Sequence, residues 1–317
     1  MAFVTEIGTD LKRAAALLRG GDVVAIPTET VYGLAANALD EEAVVKIFHA
    51  KDRPFFDPLI VHVHDQNAVS AYVSAIPKSF EPLMDAFWPG PLTLLFPKAE
   101  KIPDITTSGL TRVGIRVPAH PMVRELLNQI DFPLAAPSAN PFGYISPTTA
   151  LHVYEQLQNK IPYILDGGPS TVGLESTIVG EENGELAVYR LGGIGLEELE
   201  KVAGTLRLRI SENSNPAAPG QLASHYAPQK NLLVGDVYAI LPQFPEQKIA
   251  VISFRKKYNE QTVLLSPNGD LKEAARALFH VLRQLDQSDA DLIVAEVFPD
   301  YGLGRAINDR LRRAAVR

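Results

Sequence analysis

Residues 27–62 read PTETVYGLAANALDEEAVVKIFHAKDRPFFDPLIVH, and this stretch decides the fold class. It opens where a short apolar strand, Val23-Val24-Ala25-Ile26, meets Pro27. Thr28-Glu29-Thr30 then forms a small polar loop of oxygen-bearing side chains at a strand end. Crevices outside strand ends are where open α/β sheets place ligands. A helix follows, with Asp40 as its N-cap and Val44, Val45, Ile47 and Phe48 as its apolar residues. Pro54 biases Arg53 towards an extended backbone, so the helix runs out in Lys51-Asp52-Arg53. Residues 59–64, LIVHVH, form a strand that puts Ile60, His62 and His64 on one face. A hydroxyl loop, a Lys/Arg pair and a strand histidine are thereby set to meet over one sheet.

Outward from this stretch, residues 10–18 read as an amphipathic helix closed by Gly20-Gly21. Residues 77–87 and 122–127 are helical, and Pro147 sits at the favoured first turn of another helix. Strands are expected at 92–96, 133–136, 164–165, 177–179 and 187–190. A further strand at 113–117 places Arg112, Gly114 and Arg116 on one face, and residues 196–202 form a helix. Strands arrive in runs and also alternate with helices, which predicts a mixed, twisted sheet.

Turn and breaker residues at 211–220, SENSNPAAPG, mark a linker. Beyond it lie short apolar strands at 232–234, 249–252, 263–265 and 292–294, a helix at 270–285 and a closing helix at 306–315. The expected organisation is an α/β domain at 1–210 with helices around a basic cleft, a linker at 211–229, and a smaller three-layer α/β Rossmann-like domain at 230–317 with a mostly parallel sheet. Gly302-Leu303-Gly304 reads as the turn into the last helix, although a helix N-terminus can also bind anions.

The 317 residues suffice for two domains. With 46% hydrophobic and 21% charged residues the composition is that of ordinary globular protein. The absence of cysteine excludes disulfides, Fe–S clusters and thiolate zinc sites. The first residues, MAFVTEIGTDLKRAAALL, lack a basic-then-apolar signal layout, and no apolar run approaches a membrane span, so a cytoplasmic protein is expected. A net charge of −7 argues against a large nucleic-acid footprint but allows a local basic cleft.

Lys51, Arg53, His62, Arg112 and Arg116 are the cations of the first domain's motifs. In an acidic protein their position at strand ends and on strand faces suggests an anion site, the alternative being pairing with surface carboxylates. No Walker loop or G-x-G-x-x-G follows a strand there, so side chains and hydroxyls would hold any phosphate. Ser138, Asn140 and Ser146 can donate to phosphate, ribose or base edges, or serve only as turn formers. The Gly173–Thr177 segment, GLEST, is either a turn before a strand or a hydroxyl site for substrate. His62 and His64 lack a third ligand at sensible spacing, so no protein-built metal site is expected.

Seven ordered motifs carry a resemblance: PTETVYGL, K-x-R-P and DPLIVH within 27–62, FWPGPLT at 87–93, VGIRVP at 113–118, APSAN at 136–140 and GLESTI at 173–178. Together they resemble the YrdC-type threonylcarbamoyl-AMP synthases in their longer, two-domain form. The resemblance implies ATP-dependent synthesis of threonylcarbamoyl-AMP from L-threonine, bicarbonate and ATP, with release of pyrophosphate. A downstream transferase would pass the product to tRNA, and Mg2+ would be held mainly by the phosphates. It further implies that Thr30, His62, Arg116, Ser176 and backbone at Ala136 hold threonine. Lys51, Arg53, Asp57, Arg112, Ser138, Asn140, Ser146 and Arg190 would line the ATP side, with Lys51 and Arg53 catalytic.

Two departures stand out. Asp57 occupies a position where many relatives carry Asn, and Ala223-Ser224 stand where a basic residue often precedes the His225-Tyr226 pair of a PG-x4-HYAP loop. The linker at 211–228 is expected to fold back as a lid, with Tyr226 reaching the ATP site, the alternative being an ordered strap between the domains. The competing reading is a non-enzymatic RNA-binding module using the same cleft, against which the net charge and the placement of aromatics in apolar runs both count. A carbamoyl-transfer module of the hydrogenase-maturation kind would need cysteine-rich zinc segments, which this chain lacks.

Overall fold

The computed structural model describes residues 4–210, 218 and 225–316. In chain order the first part contains β1 (Glu6–Gly8), α1 (Leu11–Arg19), β2 (Val24–Ile26), β3 (Gly33–Asn37), α2 (Glu41–Lys51), β4 (Ile60–His62), α3 (Glu81–Phe87), β5 (Leu92–Pro97), α4 (Asp104–Thr107) and β6 (Arg112–Arg116). It continues with α5 (Pro121–Gln129), β7 (Leu134–Ala135), α6 (Ala150–Leu157), β8 (Tyr163–Leu165), β9 (Thr177–Glu182), β10 (Glu185–Arg190), α7 (Leu196–Ala203) and β11 (Arg207–Leu208). Among the described residues these strands form one mixed sheet in the order β1-β8-β2-β3-β7-β4-β6-β5-β9-β10-β11. The last part contains β12 (Asn231–Val234), α8 (Val237–Ile240), β13 (Ile249–Ser253), β14 (Thr262–Leu264), α9 (Leu271–Gln287), β15 (Leu292–Ala295) and α10 (Leu303–Ala315). Its sheet, β12-β15-β13-β14, is parallel at every described pairing.

Local chemistry explains the helix boundaries. The Asp10 and Asp40 carboxylates each accept from two first-turn N–H groups, fixing the starts of α1 and α2. Asp52 takes the left-handed conformation at φ 53° and closes α2, so the chain turns before Pro54 as expected. The helix expected from Pro147 begins instead at Ala150. The Pro147 carbonyl accepts from Tyr32 N–H at 2.8 Å, which keeps that segment extended, and Thr149 supplies the cap by accepting from His152 N–H. The last helix begins at Leu303 rather than Ala306, and its glycine is required because a Cβ at Gly304 would collide with the Pro299 carbonyl. The strand expected at 59–64 is confined to β4, and His64 lies beyond it, half-exposed beside Asp65.

The residues of β3, GLAAN, have low intrinsic strand preference. Pairing with β2 on one side and β7 on the other makes them a strand. The smaller sheet's helices pack directly on the larger unit. Tyr144 donates to Asp286 at 2.5 Å, and Arg283 donates to Gln156 at 2.9 Å and to the Ile145 carbonyl at 2.5 Å. Gly173 sits at φ 79°, and a Cβ there would run into the Arg276 backbone of α9. No described helix is long and apolar enough to cross a membrane.

Candidate functional site

Strand register assembles the site. β4 and β6 run parallel with His62 opposite Arg116, and β7 pairs antiparallel with β4, so three strand ends meet beside the Thr28–Val31 turn. Arg190 ends β10 just past a register shift at Val188, the kind of bulge that re-aims a side chain. The resulting cavity is lined by Thr28, Thr30, Arg53, Ile60, His62, Arg116, Ala136, Ser138, Glu175, Ser176, Arg190, His225 and Tyr226, with Val31, Gly33, Pro58 and Pro137 between them.

The Thr28 hydroxyl donates to the Val31 carbonyl at 2.6 Å. Its 2.7 Å contact with Thr30 must therefore be a bond donated by Thr30. Arg116 in turn donates to the Thr30 hydroxyl at 2.8 Å, to Glu29 at 2.5 Å and to the Gly90 carbonyl at 3.1 Å. A guanidinium carries more donors than these three bonds use, so Arg116 keeps N–H groups for a ligand. Burial pushes the Glu29 carboxyl up, but the Arg116 charge and hydrogen bond outweigh it and hold it below its ordinary value. Ala136 donates its N–H to the Ile60 carbonyl at 3.0 Å, which leaves its own carbonyl as the backbone group offered to the cavity.

His62 is 3% exposed, and its Nδ1 has no hydrogen-bond partner among the described residues. Burial, then the Arg116 charge, lower its pKa to about 3. The imidazole is therefore neutral wherever the protein is folded at ordinary pH. A histidine with a depressed folded pKa contributes stability above its unfolded value and loses it as pH falls towards the folded one. Thermal denaturation from about pH 7 to about pH 4 should accordingly show a smaller acid-side loss of stability in His62→Gln than in the wild type; identical profiles would contradict a neutral, buried His62.

Arg53 is 7% exposed and donates to the Asp57 and Pro58 carbonyls at 3.1 and 3.0 Å. Its Nη2 lies 2.8 Å from the Asp57 carboxylate, a charge contact whose angle does not make a hydrogen bond, and neither carboxylate oxygen of Asp57 has a hydrogen-bond partner among the described residues. Burial raises the Asp57 pKa against the lowering pull of Arg53, Lys51 and Arg190. Lys51 is buried under the 138–140 loop, and its Nζ donates to the Ser138 and Asn140 carbonyls at 2.5 Å each. It does not line the cavity; it fixes the loop that carries Ser138. Burial, then the Arg53 charge, hold its pKa well below that of an ordinary lysine. Lys51→Met should destabilise the fold by ~1–3 kcal/mol for each carbonyl left unpaired, read as a fall in melting temperature; an unchanged melting point would show that the loop is held by other means.

Ser176 accepts from Arg190 Nη2 at 2.9 Å, shares a 2.8 Å hydrogen bond with Thr93, and accepts from Arg190 Nε through its carbonyl. The Glu175 carboxylate accepts from Ser146 at 2.6 Å and from Arg310 of α10 at 2.7 Å. Burial pushes its pKa up, but Arg310 and Arg190 bring it below the ordinary value, so it is ionised. Tyr226 is fully buried in the cavity wall, its hydroxyl has no hydrogen-bond partner among the described residues, and burial raises its pKa to about 12.

The fold thus brings Thr30, Arg53, His62, Arg116, Ala136, Ser138, Ser176, Arg190 and Tyr226 to one cavity. Lys51, Asp57, Asn140 and Ser146 stand behind its wall: Asp57 beside Arg53, Ser146 on Glu175, and Asn140 donating to the Pro141 and Tyr144 carbonyls. Arg112 is not brought there. It donates to the Tyr189 hydroxyl at 2.9 Å and lies over that ring at 4.8 Å. Sequence alone puts Glu29 in the strand-end loop, Glu175 in the GLEST segment and His225 in the HYAP pair without giving any of them a site role, and it does not single out Arg310. Of the lid expected at 211–228, residues 211–217 and 219–224 lie outside the described residues. Ala218 is fully buried against Ile60, Leu95, Ile178, Ala187 and Tyr189.

Residues 16–192 match a family model described as "Telomere recombination", and residues 194–316 match one described as "Threonylcarbamoyl-AMP synthase, C-terminal domain". The threonylcarbamoyl-AMP synthases of Pyrococcus abyssi and Bacillus subtilis are 40% and 38% identical to the chain. Each alignment covers 96% of the chain, and 94% and 92% respectively of the relative. The crystal structure of P. abyssi Sua5 complexed with L-threonine superposes with a TM-score of 0.92 at 38% identity, covering 99% of this chain and 98% of that one.

Proposed function

Because the chain belongs to the threonylcarbamoyl-AMP synthase family and makes threonylcarbamoyl-AMP for tRNA modification, we propose that the cavity beside the Thr28–Val31 turn is where L-threonine, bicarbonate and ATP meet. The observation that carries this reading is the convergence of three buried guanidiniums, Arg53, Arg116 and Arg190, with hydroxyls and a neutral imidazole around one cavity. Threonine lies against Thr30, His62, Arg116, Ser176 and the Ala136 carbonyl, with its carboxylate on the spare N–H groups of Arg116. ATP lies towards Arg53, Ser138, Arg190 and Tyr226.

Bicarbonate loses hydroxide to give carbon dioxide, the threonine amine captures the carbon dioxide as a carbamate, and the proton the amine loses leaves with that hydroxide as water. A carbamate oxygen then attacks the α-phosphorus as the bond to the departing pyrophosphate breaks. Such a displacement needs positioning and stabilisation of developing negative charge more than a dedicated base. Arg53 supplies that charge stabilisation, and Lys51 acts from behind by fixing the 138–140 loop. His62 cannot act as an acid, because it carries no extra proton at working pH; it is an orienting hydrogen-bond partner.

Asp57 already has its charge balanced by Arg53, Lys51 and Arg190, which does not fit a metal ligand. Mg2+ would therefore be carried by the ATP phosphates. The pairing of β11 with β10 keeps residues up to 208 on the larger sheet, which supports dividing the chain near residues 210 and 230 although the C-terminal family model begins at 194. The product passes to a downstream transferase acting on tRNA in the cytoplasm. Incubation with ATP, threonine and bicarbonate tests the reading: pyrophosphate release should require both threonine and bicarbonate, and release without threonine would overturn it.

A further inference from the structure

Arg310 is fully buried, yet it belongs to the last helix of the smaller-sheet unit. A buried arginine is costly unless its donors are met, so apolar packing alone would favour a hydrophobic residue at this position. Its donors are directed outward from its own unit: Nε to the Glu175 carboxylate at 2.7 Å and Nη2 to the Leu191 carbonyl at 2.8 Å, with Nη1 returning to Asp309. The guanidinium also lies over the Tyr226 ring at 4.9 Å, and Phe279 of α9 stacks on that ring at 5.6 Å. Glu175 and Tyr226 line the cavity, and Arg310 does not. The close approach of α9 to Gly173 seats the smaller unit against the loop that carries Glu175.

We propose that Arg310 is a positioning residue for the nucleotide side of the cavity, holding Glu175 and Tyr226 in its wall, so that the smaller-sheet unit completes the catalytic site. This rests on the reading of the cavity as an ATP site. The consequence is selective. Glu175 fixed as a carboxylate by Arg310 and Ser146 presents only acceptors, and Tyr226, with Phe279 stacked on its ring and the Arg310 guanidinium over it, keeps one orientation. None of threonine's proposed partners, Thr30, His62, Arg116, Ser176 and Ala136, makes a described bond to Arg310, whose bonds go to Glu175, Asp309 and Leu191.

Calorimetry of ATP and of threonine binding, measured separately in the full-length protein, tests the proposal in Glu175→Gln, Arg310→Lys and the double variant Arg310→Met/Glu175→Gln. The double variant removes both charges together and so leaves neither one buried alone. Lysine cannot reproduce the planar fork of arginine. Glu175→Gln and Arg310→Lys should each weaken ATP binding about tenfold, with threonine affinity held within about twofold. The double variant should bind ATP no more than about twofold more weakly than Glu175→Gln, because residues acting as one unit are not additive. If the wild type binds ATP and Arg310→Lys binds it equally well, or if ATP and threonine affinities fall together, Arg310 is structural and the proposal is wrong. If the wild type does not bind ATP at all, the nucleotide reading of the cavity falls first, and this role with it.

Discussion

Arg53→Ala is expected to lower pyrophosphate release by ~10²–10³-fold, the usual cost of removing one preorganised charge-stabilising donor. The variant also carries a structural penalty, because Asp57 is fully buried and Arg53 is the first of the charges that lower its pKa. Breaking a buried pair by removing one partner costs about 3–5 kcal/mol. The two effects separate by pH and by a second substitution. Without Arg53 the Asp57 pKa rises further. An acid whose folded pKa lies above its unfolded value destabilises the fold as pH climbs through that interval, so the deficit in melting temperature should shrink on acidification. Arg53→Ala/Asp57→Asn should regain the melting temperature without regaining turnover. Near-normal turnover in either folded variant would remove Arg53 from the chemistry.

The second large effect concerns threonine. Arg116→Met should weaken threonine binding roughly ten- to a hundredfold, as expected for loss of a charge-assisted hydrogen bond worth ~1.5–3 kcal/mol, while ATP binding survives. Glu29 makes a buried pair with Arg116, so the informative comparison is Arg116→Met/Glu29→Gln, which leaves no lone buried charge. Calorimetry should show threonine binding lost in the double variant as well, with the melting temperature close to wild type. Equal loss of both ligands would contradict the division of the cavity into a threonine side and an ATP side.

Much of this arrangement was legible in the sequence because it is local. The Thr28–Thr30 turn, the Asp40 cap, the stop before Pro54 and the strands that carry His62 and Arg116 follow from neighbouring residues, although the strands end at those two residues rather than at His64 and Val117. The parity of β6 correctly put Arg112 on the face of Arg116. Parity says nothing about distance along a strand, however, and four residues at ~3.3 Å each carry Arg112 well away from the cavity; Tyr189 takes it there. Pro147 misled for a similar reason: its ring suits a helix start, but a carbonyl bond from Tyr32 fixes it in extended chain. What sequence could not reveal is the pairing across distance. Glu29 meets Arg116 over 87 residues, and Glu175 meets Arg310 over 135. Each is an ordinary charged residue until the sheet register and the docking of α10 bring its partner to it. The basic cleft inferred from cations alone is therefore a balanced one, in which Glu29, Asp57 and Glu175 stand beside Arg116, Arg53 and Arg310.

The most direct test of the central claim follows isotopically labelled bicarbonate through the reaction by mass spectrometry. With ATP and threonine present, the label should appear in a product that also contains AMP and threonine, in amounts equal to the pyrophosphate released, and Arg53→Ala/Asp57→Asn should form it ~10²–10³-fold more slowly. Pyrophosphate released in equal amount without any labelled adenylate, or labelled product formed at the wild-type rate by that folded variant, would contradict the assignment of this chemistry to the cavity.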